Sequence, residues 1–127
     1  MSFKQTKFYF ENLFSVEWTK TPVHFAGMEF DKKKKTTGEW INLTYKPSYL
    51  KSQGLDSGIQ SGMVTVVCWA ETDVDSMGLS DDVVSFFNMN IDPKFRVRSI
   101  DVIDHGWQTA TSAYTMLSFR FEYNIGC

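Results

Sequence analysis

The sequence is short of the residues that most often carry chemistry. Its 127 residues include two cysteines, two histidines and three prolines. Cys68 and Cys127 form no CxxC pair, which removes the common zinc and dithiol spacings. A disulfide between them is weakly motivated, and a reducing compartment is expected. His24 and His105 have no nucleophile or second ligand at a motif spacing, so both are expected to be structural or solvated rather than general bases. Gly54, Gly58 and Gly62 are not followed by Lys-Ser or Lys-Thr, so no phosphate-binding loop is present. Asp73 and Asp75 lack the remainder of a calcium loop and read as helix-capping or solvated acids. An excess of one charge is missing too. The formal net charge is −2, which gives no support to nucleic-acid binding. No apolar run approaches the roughly 20 residues that span a bilayer. The opening MSFKQTKFYFENLF has no apolar h-region, so no signal peptide is expected and the chain reads as soluble and cytosolic. No catalytic residue, metal or cofactor is expected.

What is present is aromatic surface. Phe, Trp and Tyr make up 16% of the chain, with eleven Phe and four Trp, and each ring brings a large area to a core or an interface. The length suits one domain, 1–127. Phe3, Phe10, Leu13 and Phe14 fall near helical spacing and predict a first helix ending around Ser15 to Trp18, with Thr21-Pro22 blocking its continuation. Val23 to Met28 reads as a short strand. Asp31 to Gly38 is a charged turn in which Lys32, Lys33, Lys34 and Lys35 repel and stay solvated. In the next strand, Ile41, Leu43 and Tyr45 share one face and Trp40, Asn42 and Thr44 the other, with Pro47 ending it. Residues 51–62 form a pliable, glycine-rich connection or hairpin arm. After a break at 72–78, Leu79, Val83, Phe86 and Phe87 predict a second helix with Ser80 as its N-cap. Phe95 to Ile103 is a strand, Asp104-His105-Gly106 a turn signal, and Met116 to Ile125 the cleanest alternation in the chain. The fold class expected is α+β: a mainly antiparallel β-sheet with two helices packed on one face, in the order α-β-β-β-α-β-β.

The strand GMVTVVCWA, from Gly62, poses the main question. Val64, Val66, Cys68 and Ala70 point one way, while Met63, Val67 and Trp69 point the other. A half-wet strand alternates apolar and polar residues, yet here only Thr65 interrupts two dry faces. Two helices can cover one face. A large uncovered apolar patch on the other is unusual for a monomer, so a further subunit or a long loop is expected there.

Taken in order, WTKTPVHF from Trp18, WINLTY from Trp40, GMVTVVCWAETD from Gly62, LSDDVVSFF from Leu79 and LSFRFEY from Leu117 form a pattern that resembles the tail terminator, or tail completion, proteins of long non-contractile phage tails. The likeness runs from about Phe10 to Tyr123. The tetra-lysine loop falls outside it, and Lys46-Pro47-Ser48 stands where many relatives have a Pro-Gly turn. The resemblance implies a non-enzymatic virion protein, assembled in the host cytoplasm and placed at the head-proximal end of the tail. There it would form a homo-hexameric ring on the tail tube, stop tube polymerisation and offer a surface to the head connector, with DNA passing through the lumen without sequence recognition. On this reading Trp40 and Trp69 are candidate interface residues. Leu50, Leu55 and Ile59 dock an assembly arm, and Lys32 to Lys35 contact an acidic rim of the tube or connector. The alternatives are a neck or head-completion protein of the same virion and, from a different class, a small-ligand binding module with a pocket between helices and sheet.

Overall fold

A computed structural model of the chain describes residues 3–25, 38–52 and 58–125. The elements run α1 (Phe3–Glu17), β1 (Val23–Phe25), β2 (Trp40–Ser52), β3 (Gly58–Ala70), α2 (Asp73–Asn90), β4 (Phe95–Thr109) and β5 (Ser112–Ile125). The strands form one five-stranded sheet in the order β1-β2-β3-β5-β4, antiparallel throughout except for the parallel pair β1–β2. The fold is α+β, with the helices on one face, in the element order expected.

Each helix is placed by an apolar stripe. On α1 the buried residues are Thr6, Phe10, Leu13 and Phe14, and on α2 they are Ser76, Leu79, Ser80, Val83 and Phe87. Both sets follow the three-and-four spacing that puts side chains on one side of a helix. Beneath them lie Ile41 and Leu43 of β2, Val64, Val66 and Cys68 of β3, and Leu117, Phe119 and Phe121 of β5, all buried. Rings fill the space between the layers. Phe87 stacks on Phe119 with centroids 4.1 Å apart, and Phe10 lies 5.2 Å from Phe121 and 5.1 Å from Phe95. A ligand cavity between helices and sheet, the alternative raised from sequence, therefore meets a packed aromatic layer here. Two polar contacts are built into this layer. Thr6 Oγ1 donates to Gln60 Oε1 at 2.8 Å, and Ser76 and Thr115 share a hydroxyl pair at 3.0 Å.

Several boundaries differ from the sequence reading. The second helix starts at Asp73, not near Leu79, because Thr72 caps it: its hydroxyl accepts from the Asp75 N–H at 3.0 Å. Ser80, expected as the cap, is buried in mid-helix and bonds back to the Ser76 carbonyl. Pro47 does not end β2. A register shift between Pro47 and Tyr49 absorbs it, and β2 has no described neighbour on its outer side there, the edge location that tolerates proline. The Asp104-His105-Gly106 signal is a bulge inside β4 rather than a turn. Pairing shifts between Asp104 and Gly106, Gly106 takes φ +65°, and the Asp104 carboxylate accepts its N–H.

Candidate functional site

The face of the sheet turned away from the helices is the candidate site. No described helix or strand lies on it. Strand register assigns its residues: Trp40, Asn42, Thr44 and Lys46 on β2 stand opposite Trp69, Val67, Thr65 and Met63 on β3. Those in turn stand opposite Tyr114, Met116, Ser118 and Arg120 on β5. Along β3 burial alternates strictly. The helix-side residues are buried and the others half-buried, so the opposite face is dry in composition but not covered to core level.

One row on this face is wholly aromatic. Trp40 and Trp69 stack with centroids 5.4 Å apart and planes within 2°. Trp69 lies 4.5 Å from Tyr114, and Tyr114 stacks on His105 at 4.4 Å. The row crosses four strands, with Trp40, Trp69 and Tyr114 in register across β2, β3 and β5 and His105 in the unpaired bulge of β4. The β4 bulge is what brings His105 into it. Trp40 stacks on Trp69 and Tyr114 on His105, with Trp69 tilted 39° against Tyr114, so each ring has another ring beside it within the row. A platform for bases or sugars needs free ring faces, so this geometry suits close packing against another protein surface better. The next row is Asn42, Val67, Met116 and Ile103, with His24 of β1 beside Asn42. Asn42 Oδ1 is buried there without a hydrogen-bond partner, a condition that native structures seldom leave.

Toward the far end the face becomes charged. Arg98 bonds Glu122 at 2.8 Å and Arg120 bonds Asp101 at 3.3 Å, and Lys46 and Arg96 are exposed nearby. On the opposite layer Lys20 pairs with Asp82, which raises the lysine's pKa. Burial pushes the Cys68 thiol up to about 11, as expected for an inert cysteine inside a core. Cys127 lies outside the described residues. Among the described residues no group of three or more His, Cys, Asp or Glu is placed to hold a metal ion, and no helix is long and apolar enough to cross a membrane.

Of the residues singled out from sequence, the structure brings Trp40 and Trp69 into direct contact. Ile59 is half-buried on β3 opposite Lys51 and Asn124, and Leu50 falls in β2 by its backbone. Leu55 and Lys32 to Lys35 lie outside the described residues. Sequence reading missed Tyr114, His105 and Ile103. Tyr114 was findable, because it continues the Met116 alternation by one step. His105 was not, since the bulge that turns it onto this face has no signal of its own beyond a local Asp-His-Gly.

No protein-family model matches the chain, and no curated protein matches it. A solved structure whose name states no activity is similar over 98% of this chain and 96% of its own, with a TM-score of 0.56 and 16% sequence identity. Likeness at that identity speaks to the fold alone.

Proposed function

We propose that this protein is a structural component of a phage virion that caps the tail tube: a homo-oligomeric ring, hexameric by resemblance, that stops tube polymerisation and presents a surface to the head connector while DNA passes through its lumen. The observation that carries the reading is the open sheet face. In a row of four rings backed by Val67, Met116 and Ile103, the chain's own layers leave Trp40, Trp69, Tyr114, Val67 and Met116 half-buried and His105 and Ile103 exposed. Apolar patches of this extent on a soluble protein mark interaction surfaces, and aromatics are enriched at them. The sequence pattern from Trp18 to Tyr123 supplies the class of assembly. The filled aromatic interior favours a packing role over a chemical one.

The test is electron microscopy of negatively stained tail-tube subunit polymerised with and without this protein. Tubes of limited length with added density at one end are expected. Tubes that grow to the same lengths with bare ends would remove the proposal.

A further inference from the structure

We infer that copies of this chain join head to tail, the helix-side surface at the start of α2 on one copy seated on the open sheet face of the next. This rests on the ring reading above and names the surface that the neighbour contributes.

Exposed apolar side chains of the helix side include a group at the start of α2 and on β4, while Phe3, Phe8 and Val16 of α1 and Met89 at the end of α2 are exposed elsewhere. Val74 is 74% and Met77 40% exposed on the first turns of α2, and Val102 is 52% and Trp107 50% exposed on β4. Val102 and Trp107 stand opposite Leu117 and Ala113, buried residues that face the helices. The Thr115 hydroxyl meets both Ser76 Oγ and Met77 Sδ, so the start of α2 lies over β5, one strand from β4. The apolar side chains of α2 and β4 thus border one strip.

Charge separates this strip from the open face. Helix α2 and the hairpin from Val102 to Ala113 contain no Lys or Arg, while Asp73 and Asp75 lie in the first turn of α2 and Asp104 of β4 stands opposite Thr115. The open face carries Lys46, Arg96, Arg98 and Arg120 against Asp101 and Glu122, four cations to two carboxylates, a surplus of two. The two ion pairs leave that surplus on Lys46 and Arg96. The apolar strip with its acids and the apolar face with its surplus cations therefore lie on opposite sides of one sheet. A two-fold dimer pairs a patch with itself and would set acid on acid or base on base. A heterologous contact sets apolar on apolar beside complementary charge, uses each patch once per copy, and closes into a ring when the rotation between copies allows. The area is that of a weak contact, which suits copies that assemble on a tube end. Four strands about 4.8 Å apart and seven residues rising about 3.4 Å each outline roughly 450 Å², within a factor of two of the roughly 800 Å² that each partner buries in a standard interface.

Two double variants test the contact, each changing exposed side chains so that the fold is retained, as circular dichroism would verify. The helix-side variant is Val74→Lys with Val102→Lys, and the sheet-side variant is Lys46→Glu with Ile103→Glu. In sedimentation velocity, at concentrations where the wild type oligomerises or on added tube ends, each variant alone is expected to remain monomeric. An equimolar mixture is expected to recover wild-type-sized assemblies, because lysine then meets glutamate at one junction and the other junction is native. A variant that assembles alone like the wild type, a mixture that stays monomeric, or a wild type that self-associates under neither condition would overturn the inference. If wild-type rings follow this pattern but tubes still grow past them, the capping function falls and the contact stands. If both variants cap tubes as well as the wild type, the contact falls and the capping function stands.

Discussion

The same chemical change, glycine to alanine, is expected to have opposite signs at two positions in this chain. Gly62 lies in the middle of β3 on the helix side. A Cβ there would sit 2.9 Å from Phe121 Cζ, 3.2 Å from the Lys46 carbonyl oxygen and 3.2 Å from Tyr45 Cε1. Phe121 cannot swing away freely, because Phe10, Phe95 and Tyr45 hold it at centroid distances of 5.2, 5.3 and 6.2 Å. The carbonyl belongs to the neighbouring strand. Overpacking of this kind costs about 1–3 kcal/mol, against a gain of about 0.4–1 kcal/mol from restricting the unfolded chain. The net for Gly62→Ala is a loss of about 1–2 kcal/mol, or roughly 4–8 °C in Tm for a domain of this size. Gly78 lies on the exposed side of α2, where an added Cβ would meet nothing within 4 Å. There Gly78→Ala recovers helix propensity of about 0.5–1 kcal/mol and raises Tm by roughly 2–4 °C. Thermal unfolding by circular dichroism of both variants at a dilution that keeps the protein monomeric measures the pair. A Gly62→Ala protein as stable as the wild type would refute the packing argument, since it would mean that Phe121 and β2 yield at no cost.

Three further outcomes follow from the same structure. Thr72→Ala removes the hydroxyl that accepts from the Asp75 N–H and is expected to cost about 1 kcal/mol in urea unfolding, with Thr72→Ser largely restoring it. Thr6→Val removes the 2.8 Å bond to Gln60 and leaves Gln60 Oε1 with the longer 3.4 Å bond from Tyr45. A loss of roughly 1–3 kcal/mol is expected, and a stabilised variant would show that this buried pair is not needed. The Cys68 thiol titrates at about 11 in the folded protein against 9.0 in the reference state. Its folded pKa is raised, so its contribution is intact below pH 9 and is lost between about pH 9 and 11, where the unfolded thiol ionises and the buried one does not. That loss amounts to roughly 2–3 kcal/mol. Comparing the stability of the wild type and Cys68→Ala across this window should show the wild type falling more steeply, and parallel curves would refute the assignment.

Much of the architecture was legible because it rests on local periodicity. The alternations of 40–45 and 116–123 and the stripes on the two helices are set by side-chain spacing along one segment, which a sequence displays directly. The starts of α2 and β5 lie earlier than their apolar patterns suggest because Thr72 and Ser112 are polar, and only the hydrogen bonds or pairings they make place them at an element's edge. Pro47 and Asp104-His105-Gly106 read as stops because both break a regular strand. In the sheet they are absorbed by register shifts, and a register shift exists only between two strands. The candidate site divides in the same way. Trp40 and Trp69 stood out in sequence as large apolar residues on the second dry face of their strands. That they touch each other, with Tyr114 and His105 continuing the row, depends on strand order β2-β3-β5-β4.

By itself, then, the amino-acid sequence determined the α+β class and a central strand with two apolar faces, since both follow from pattern within single segments. Only the tertiary structure decided where those faces lie and how the rings and charges on them are arranged. Cross-strand neighbours, the bulge in β4 and the cations gathered at one end of the open face arise from pairing residues distant in sequence, and no segment carries that information alone.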